Sequence, residues 1–351
     1  MNPELVRHIL HDDPVRSRLN KGDWQRVYGK LSGQGATLVY ENADGPVNAI
    51  VASVSADAGQ VLIRPWAQDA SLPTLPQLLA RSHDAVPVRY RPGKRCTLRK
   101  GNLFLKLVAD DRGCAINRDA RMLWAGQQAG MFTFGVARPA GWLPSQRMMV
   151  QHRVEGAPII ARLWSSEGPA LARRLGQANA TLAASPLMPT MRFNYADQMH
   201  RTAKYVRRLS KYLPSTRPLL NQLMMNFETV VPGLADRPIH GAPHAHQWLD
   251  GYEGLKLVDF DRFGLGDPEL EAATFIAEAD FEDASNASEV GQAYLHGFAE
   301  TWPLNPTLVQ AYRLHKHVAK ALRTATAIRL DAEERTMAIL TQAANLQENR
   351  P

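Results

Sequence analysis

The sequence predicts a two-lobed α+β protein: a strand-rich N-terminal lobe with an extra N-terminal cap, followed by a helical C-terminal lobe. Three observations predict it. A chain of 351 residues exceeds what one hydrophobic core usually serves, and 45% apolar residues are ample for two. Up to about residue 156, short alternating apolar and polar runs lie between turn residues, which is the period of strands. Beyond it, apolar residues recur three and four apart, which is the period of helices.

Residues 1–85 form the expected cap: a short helical opening, then "ATLVYE" and "NAIVASVSA", set off by the turn-forming "NADGP" and "DAGQ". Residues 86–109 alternate on either side of "KGN" as a β-hairpin does, with Lys106 in the second strand between Leu105 and Leu107. Taken alone, a lysine so flanked points outward to water. A helix is expected over "NRDARMLWAGQQAG", with Asn117 as its N-cap and Gly130 as its stop. "RMMVQHRVEGAPI" reads as a buried strand running into a polar connector at Glu155 and Gly156, which closes an N-lobe spanning 86–156. From 157 to 351 the chain reads as helical, through "ALARRLGQANATLAA", "MHRTAKYVRRLSKYL" and "PLLNQLMMNFETVV" to a last helical stretch, "RTATAIRLDAEERTMAILTQAANL". Only "GLKLVDFD" interrupts it as a short strand.

Composition narrows the function classes. No run approaches about 18 apolar residues and the start lacks a leader pattern, so a cytoplasmic protein without membrane attachment is expected. Cys96 and Cys114 are too few for a disulfide framework and are expected to be free thiols. Net charge is +7, yet residues 259–300 hold eleven acids against the single base Arg262. That acidic stretch suits a cationic acceptor over the lower lobe, although amphipathic helix surface explains it as well. The basic run "YRPGKRC" offers a phosphate-contacting loop but lacks the G-x-G-x-x-G spacing. "LHKHVAKALRTATAIR" has no aromatic interleaving, so nucleic acid is not expected as a partner.

The chemistry-bearing residues lie around "IHGAPHAHQWLDGYEGLKLVDFDRFGLGDP". Phosphoryl transfer needs charge held near the phosphates, a metal on carboxylate or amide oxygens, and a hydroxyl aimed in line. Lys106 is a candidate for the phosphates, Asp119 on the next helix for holding that lysine, and Asp259 with Gln247 for Mg²⁺.

With its "FLKLVAD", "NRDARML" and "VQHRVEGAPI" stretches, this segment resembles the aminoglycoside-phosphotransferase-like kinases, a branch of the protein-kinase-like fold. The resemblance covers roughly residues 86–330. It implies a small-molecule kinase that uses ATP or GTP with Mg²⁺ to phosphorylate a hydroxyl. Residue by residue, it implies that His240 and Gly241 open the catalytic loop, Gln247 and Asp259 bind metal, and Lys106 binds phosphates. It also implies that Asp119 stands where a glutamate is usual, and that the backbone of residues 150–156, including His152 and Val154, receives the adenine. Asp267 matches a buried structural aspartate.

The departure is Ala242, at the position of the general base. A methyl group accepts no proton and binds no metal, and loss of one general base typically removes about 10²–10⁴ in rate while leaving binding intact. Three functions stay open on these residues: a kinase disarmed or slowed at Ala242, a pseudokinase that binds nucleotide without turnover, and a transferase that uses His244 or His246 as the base.

Overall fold

The computed structural model describes residues 3–348 except 20–21, 43–44, 58, 83, 226 and 228–229. Helix α1 (Pro3–Arg7) precedes an antiparallel meander of β1 (Gln25–Ser32), β2 (Gly35–Asn42), β3 (Gly45–Ser55) and β4 (Val61–Pro65). After α2 (Leu75–Arg81) comes a second sheet containing β5 (Val86–Arg91), β6 (Arg95–Lys100) and β7 (Leu103–Val108), then β8 (Pro139–Leu143) and β9 (Met148–His152). Its strand order is β5-β6-β7-β9-β8, all antiparallel, with α3 (Arg112–Gln128) crossing over between β7 and β8.

The second lobe begins with β10 (Ala157–Pro158), α4 (Ile160–Leu163), α5 (Gly168–Ala184), β11 (Arg192–Phe193), α6 (Tyr195–Tyr212) and α7 (Arg217–Met225). A strand-and-loop region follows: β12 (Arg237–Ile239), β13 (Trp248–Gly251), β14 (Gly254–Leu257) and β15 (Gly264–Gly266). Helices α8 (Pro268–Ala279), α9 (Ala287–Ala299), α10 (Pro306–Ala325) and α11 (Ala332–Glu348) complete it. None of the helices among the described residues is long and apolar enough to cross a membrane.

Strand periodicity positions the upper half of the site. Leu105 and Leu107 are buried, in a core shared with Leu98 of β6 and with Val39 and Val51 of the cap sheet. Lys106, between them, must then point from the opposite face of β7. That face looks into the cleft, not into open water, and the Lys106 side chain is only 12% exposed. The cap is thus one wall of the N-lobe core, and the expected division at residue 85 runs across shared packing. A further cluster, built from Leu5, Ile9, Leu38 and Val54, fills the other side of the cap sheet.

Two element boundaries differ from expectation. Helix α3 starts at Arg112, not after an N-cap at Asn117, and Asn117 is buried within it. The cause is Gly113: a Cβ there would lie 2.1 Å from Trp142 Cζ3, so this glycine lets the first turn seat against β8 instead of breaking the helix. The stop at Gly130 is as expected, with φ +68. The last helical stretch is interrupted between α10 and α11, where Leu31 of the cap donates its N–H to Thr326 O at 3.0 Å and Lys30 bridges to Ala327. The expected continuation of "PLLNQLMMNFETVV" beyond Met225 falls partly outside the described residues.

Candidate functional site

Strand β7 delivers Lys106 from above, and the loop after β14 delivers Asp259 from below. They meet: Lys106 Nζ lies 2.8 Å from Asp259 Oδ1 and 2.5 Å from Asp261 Oδ2. Arg95, at the start of β6, donates to Asp261 Oδ2 at 2.6 Å and stands 4.0 Å from Asp259 Oδ2. Burial opposes the charge on Asp259, but the Lys106 ammonium, its hydrogen bond and the Arg95 guanidinium outweigh it and hold the carboxyl well below the usual range. Asp259 also sits at φ 69, a left-handed conformation that a non-glycine residue adopts only where its surroundings enforce it.

The catalytic-loop segment is held from beneath by two glutamates of α8. Glu271 accepts the N–H groups of His240 (2.9 Å) and Gly241 (2.8 Å), and Glu278 accepts the N–H of Ala245 at 2.8 Å. His240 is fully buried, with Nε2 3.1 Å from Val258 O and its ring edge-on to Phe260. Burial lowers its pKa to about 4, so it is a neutral structural imidazole near neutral pH. Gly241 has φ +82, and a Cβ there would come within 2.4 Å of Arg262 O. Ala242 is nearly buried and gives its carbonyl to His244 N–H at 2.9 Å, so the loop keeps its shape without a carboxylate.

His244 Nδ1 lies 2.6 Å from Glu278 Oε1. His246 is exposed. Gln247 Oε1 accepts from His244 N–H at 2.7 Å, and Nε2 faces Asp259 Oδ2 at 3.5 Å. Its amide therefore presents nitrogen, not oxygen, to the carboxylate pair.

The expected pairing of Lys106 with Asp119 is not what forms. Asp119 turns to the Thr190 hydroxyl, 3.0 Å from its Oδ2, and its Oδ1 is buried with no hydrogen-bond donor, 3.5 Å from Arg118 Nε. The side chain is one methylene shorter than glutamate, and Asp261 already occupies the lysine. Asp119 and Asp261 instead line one small cavity of about 40 Å³.

On the linker, the N–H groups of His152 and Arg153 are committed to Arg138 O and Asn102 O, both at 2.9 Å. His152 and Val154 line a cavity of about 590 Å³ that opens toward Gln127, Asp250 and Lys256.

Sequence reasoning missed Asp261, Glu271 and Glu278, and it marked Arg95 only as part of the basic run "YRPGKRC". The repeated carboxylate of "DFD" was the available signal for Asp261. Nothing local marked the two glutamates, which read as part of a solvated acidic face.

No group of three or more His, Cys, Asp or Glu among the described residues is arranged to hold a metal by itself. Asp259 and Asp261 nonetheless supply two neighbouring carboxylates, and Mg²⁺ takes one or two carboxylates and completes its shell with phosphate and water.

No protein-family model matches the chain, and no curated protein matches it in sequence. Solved structures do. The GDP and kanamycin complex of APH(2")-IIia superposes with a TM-score of 0.55 at 14% identity, over 78% of this chain and 98% of that one. The streptomycin–ATP ternary complex of APH(2")-IIa gives 0.53 at 14% identity, over 79% and 98%. A choline/ethanolamine kinase family protein from Mesorhizobium loti gives 0.50 at 19% identity, over 73% and 86%. The chain therefore has the two-lobed, protein-kinase-like fold seen in aminoglycoside phosphotransferases and choline kinase-like proteins.

Proposed function

We propose that this protein is a kinase-type phosphotransferase that binds ATP or GTP in the cleft, with a small-molecule hydroxyl as acceptor, and that turnover is impaired because Ala242 stands at the general-base position. The observation that carries the reading is the meeting of Lys106 and Asp259 across the lobes at 2.8 Å. A cation from the upper sheet and an ionised carboxylate from the lower loop are the two charges a metal–triphosphate separates and binds.

In this reading Lys106 would bind the nucleotide phosphates, and Asp259 with Asp261 would hold Mg²⁺. The ion, when bound, neutralises charge on the phosphate oxygens. Arg95 stays beside Asp261 and adds positive charge at the same place. The N–H of Val154, the next on the linker after those of His152 and Arg153, has no partner among the described residues and would receive the adenine edge. Gln247 serves as a metal ligand only after its amide turns over, at the expense of the His244 N–H bond. The acceptor hydroxyl meets a methyl group at Ala242, so positioning remains and proton removal does not. Nucleotide-dependent regulation without turnover is the second reading, and Ala242 is what favours it.

Titration of the full chain with ATP and with GTP, with and without Mg²⁺, tests the first step. Mg²⁺-dependent binding should weaken at least tenfold in Asp259→Ala, and equal affinity in the two proteins would remove the metal site. The next step is Ala242→Asp, read as phosphate leaving ATP in the presence of candidate acceptors. A rise of roughly 10²–10⁴ identifies a disarmed kinase. No rise, with binding intact, identifies the pseudokinase. If His244→Ala abolishes a measurable rate in the unmodified chain, the imidazole oriented by Glu278 is the substitute base.

A further inference from the structure

The acidic stretch that suits a cationic acceptor is consumed inside the protein. Asp259 and Asp261 face Lys106 and Arg95, and Glu271 and Glu278 hold the catalytic loop. Asp267 accepts from Ala235 N–H and the Tyr312 hydroxyl, Glu269 accepts from Asn305 N–H, Asp280 pairs with Arg313, and Glu300 pairs with Arg173. Only Glu282, Asp283 and Glu289 of that stretch are left without such partners among the described residues.

What gathers beside the Gly241–Ala242 turn is the opposite charge. Helices α6 and α10 pack together there, with Thr202 Oγ1 2.5 Å from His315 Nδ1 and Tyr205 stacked on the His315 ring. Arg201 and Arg208 fall on one face of α6 at i and i+7, with Tyr205 between them. Lys316 and Arg323 share a face of α10 at the same spacing. Arg262 joins them from the loop behind Gly241, its guanidinium 5.0 Å over the Phe193 ring. Burial, then the neighbouring Arg201, depress the Arg262 pKa, and burial, then Arg262, lower Lys316 to about 7.

The cap closes the far side with more of the same sign. Strand β1 reaches the α10–α11 junction through the Lys30–Ala327 bridge, which sets Lys30 near Lys94, Arg208 and Arg91. Among the described residues none of Lys30, Arg91, Lys94, Arg201, Arg208, Arg262 or Arg323 forms an ion pair within 4.0 Å, and only Asp259, toward Arg91, and Glu271, toward Arg262, act on them from farther off. Cations brought together from three separate parts of the chain repel one another, and a bound anion relieves that repulsion.

We infer that the acceptor side of this cleft, between α6, α10, the Arg262 loop and cap strand β1, binds a small hydroxyl compound carrying a phosphate or carboxylate group, not a cationic one. This rests on the phosphotransferase reading for the word acceptor, but the anion site itself does not.

Isothermal titration at low ionic strength, using the full chain, tests it with ribose 5-phosphate, gluconate, ribose and kanamycin. Ribose 5-phosphate or gluconate should bind at least tenfold more tightly than ribose, and which of the two binds tells phosphate from carboxylate. The double variant Arg201→Ala/Arg208→Ala should lose tenfold or more of that affinity while its thermal midpoint and ATP affinity hold. Lys106→Ala should keep anion binding within twofold.

Tighter binding of kanamycin, no anion binding up to millimolar concentrations, or displacement of the anion by a tighter-binding oligonucleotide overturns the inference. So does anion binding that is lost in Lys106→Ala but kept in the double variant, because that anion then sits at the nucleotide phosphates. If ATP fails to bind while the anion results hold, the phosphotransferase reading falls and the anion site stands.

Discussion

Glu271 couples the catalytic loop to pH. Its carboxylate is 1% exposed, and burial pushes its pKa up to about 7 even though two backbone N–H groups pull the other way. A carboxyl raised in the folded state contributes stability that is complete below the unfolded value of about 4.5 and is lost as pH rises through about 7. Buried His240, His315 and His317, all lowered by burial, oppose this trend in the wild type. The informative quantity is therefore the difference between the wild type and Glu271→Gln, in which the histidine contributions cancel. Gln resembles the protonated acid and does not ionise. From pH 5 to pH 7 the stability difference should shift toward the variant by about 2 kcal/mol, on the basis of 1.36 kcal/mol per pKa unit. Denaturant midpoints at the two pH values measure it, and parallel curves would show that Glu271 does not titrate there.

At the scale of elements, the lower lobe depends on how closely α5 and α9 cross. A Cβ on Gly176 would lie 2.1 Å from Tyr294 O, and one on Gly297 would lie 2.0 Å from Arg173 O, so backbone meets backbone at both points. Alanine normally favours a helix by about 1 kcal/mol over glycine. Here overpacking costs about 1–3 kcal/mol or more, so Gly176→Ala and Gly297→Ala should each lower the thermal midpoint. A raised midpoint in either would mean the helices are farther apart. The same glycine logic explains what sequence reading reached. The "KGN" hairpin, the stop at Gly130 and the "DFD" loop were legible because each has a local signature in turn chemistry or alternation. The start of α3 was not, because Gly113 reads as a breaker until Trp142 is seen against it. The break before α11 was not, because its cause is a strand nearly 300 residues earlier in the chain. Lys106 and Asp259 were each legible as candidates from their own segments, an alternating strand and the "DFD" triplet, whereas the partner of Asp119 depended on a distance no spacing encodes.

For the whole molecule, the cap is the part whose role is least like an appendage. Val39, Ala49 and Val51 pack with Trp66, Leu98 and Leu105, so removing the meander uncovers the face of the upper sheet opposite Lys106. The same meander reaches the lower lobe at Thr326 and Ala327, and so ties both lobes together on the side where the unpaired cations gather. Exposing several fully buried aliphatic side chains costs about 1.5–3 kcal/mol each, which together exceeds the 5–15 kcal/mol that usually separates folded from unfolded chains only if most of the cluster is lost. A chain starting at Val86 loses seven of its buried members at once: Val39, Ala49, Val51, Trp66, Leu72, Leu75 and Ala85. That chain should aggregate or melt without a cooperative transition, whereas Ile328→Ala, which trims the lower-lobe side chain that packs against the cap cluster, should stay folded with a lowered midpoint. Calorimetry on both separates a cap that completes the core from one that merely decorates it. A truncated chain that melts cooperatively near the full-length midpoint would assign the cap the second role.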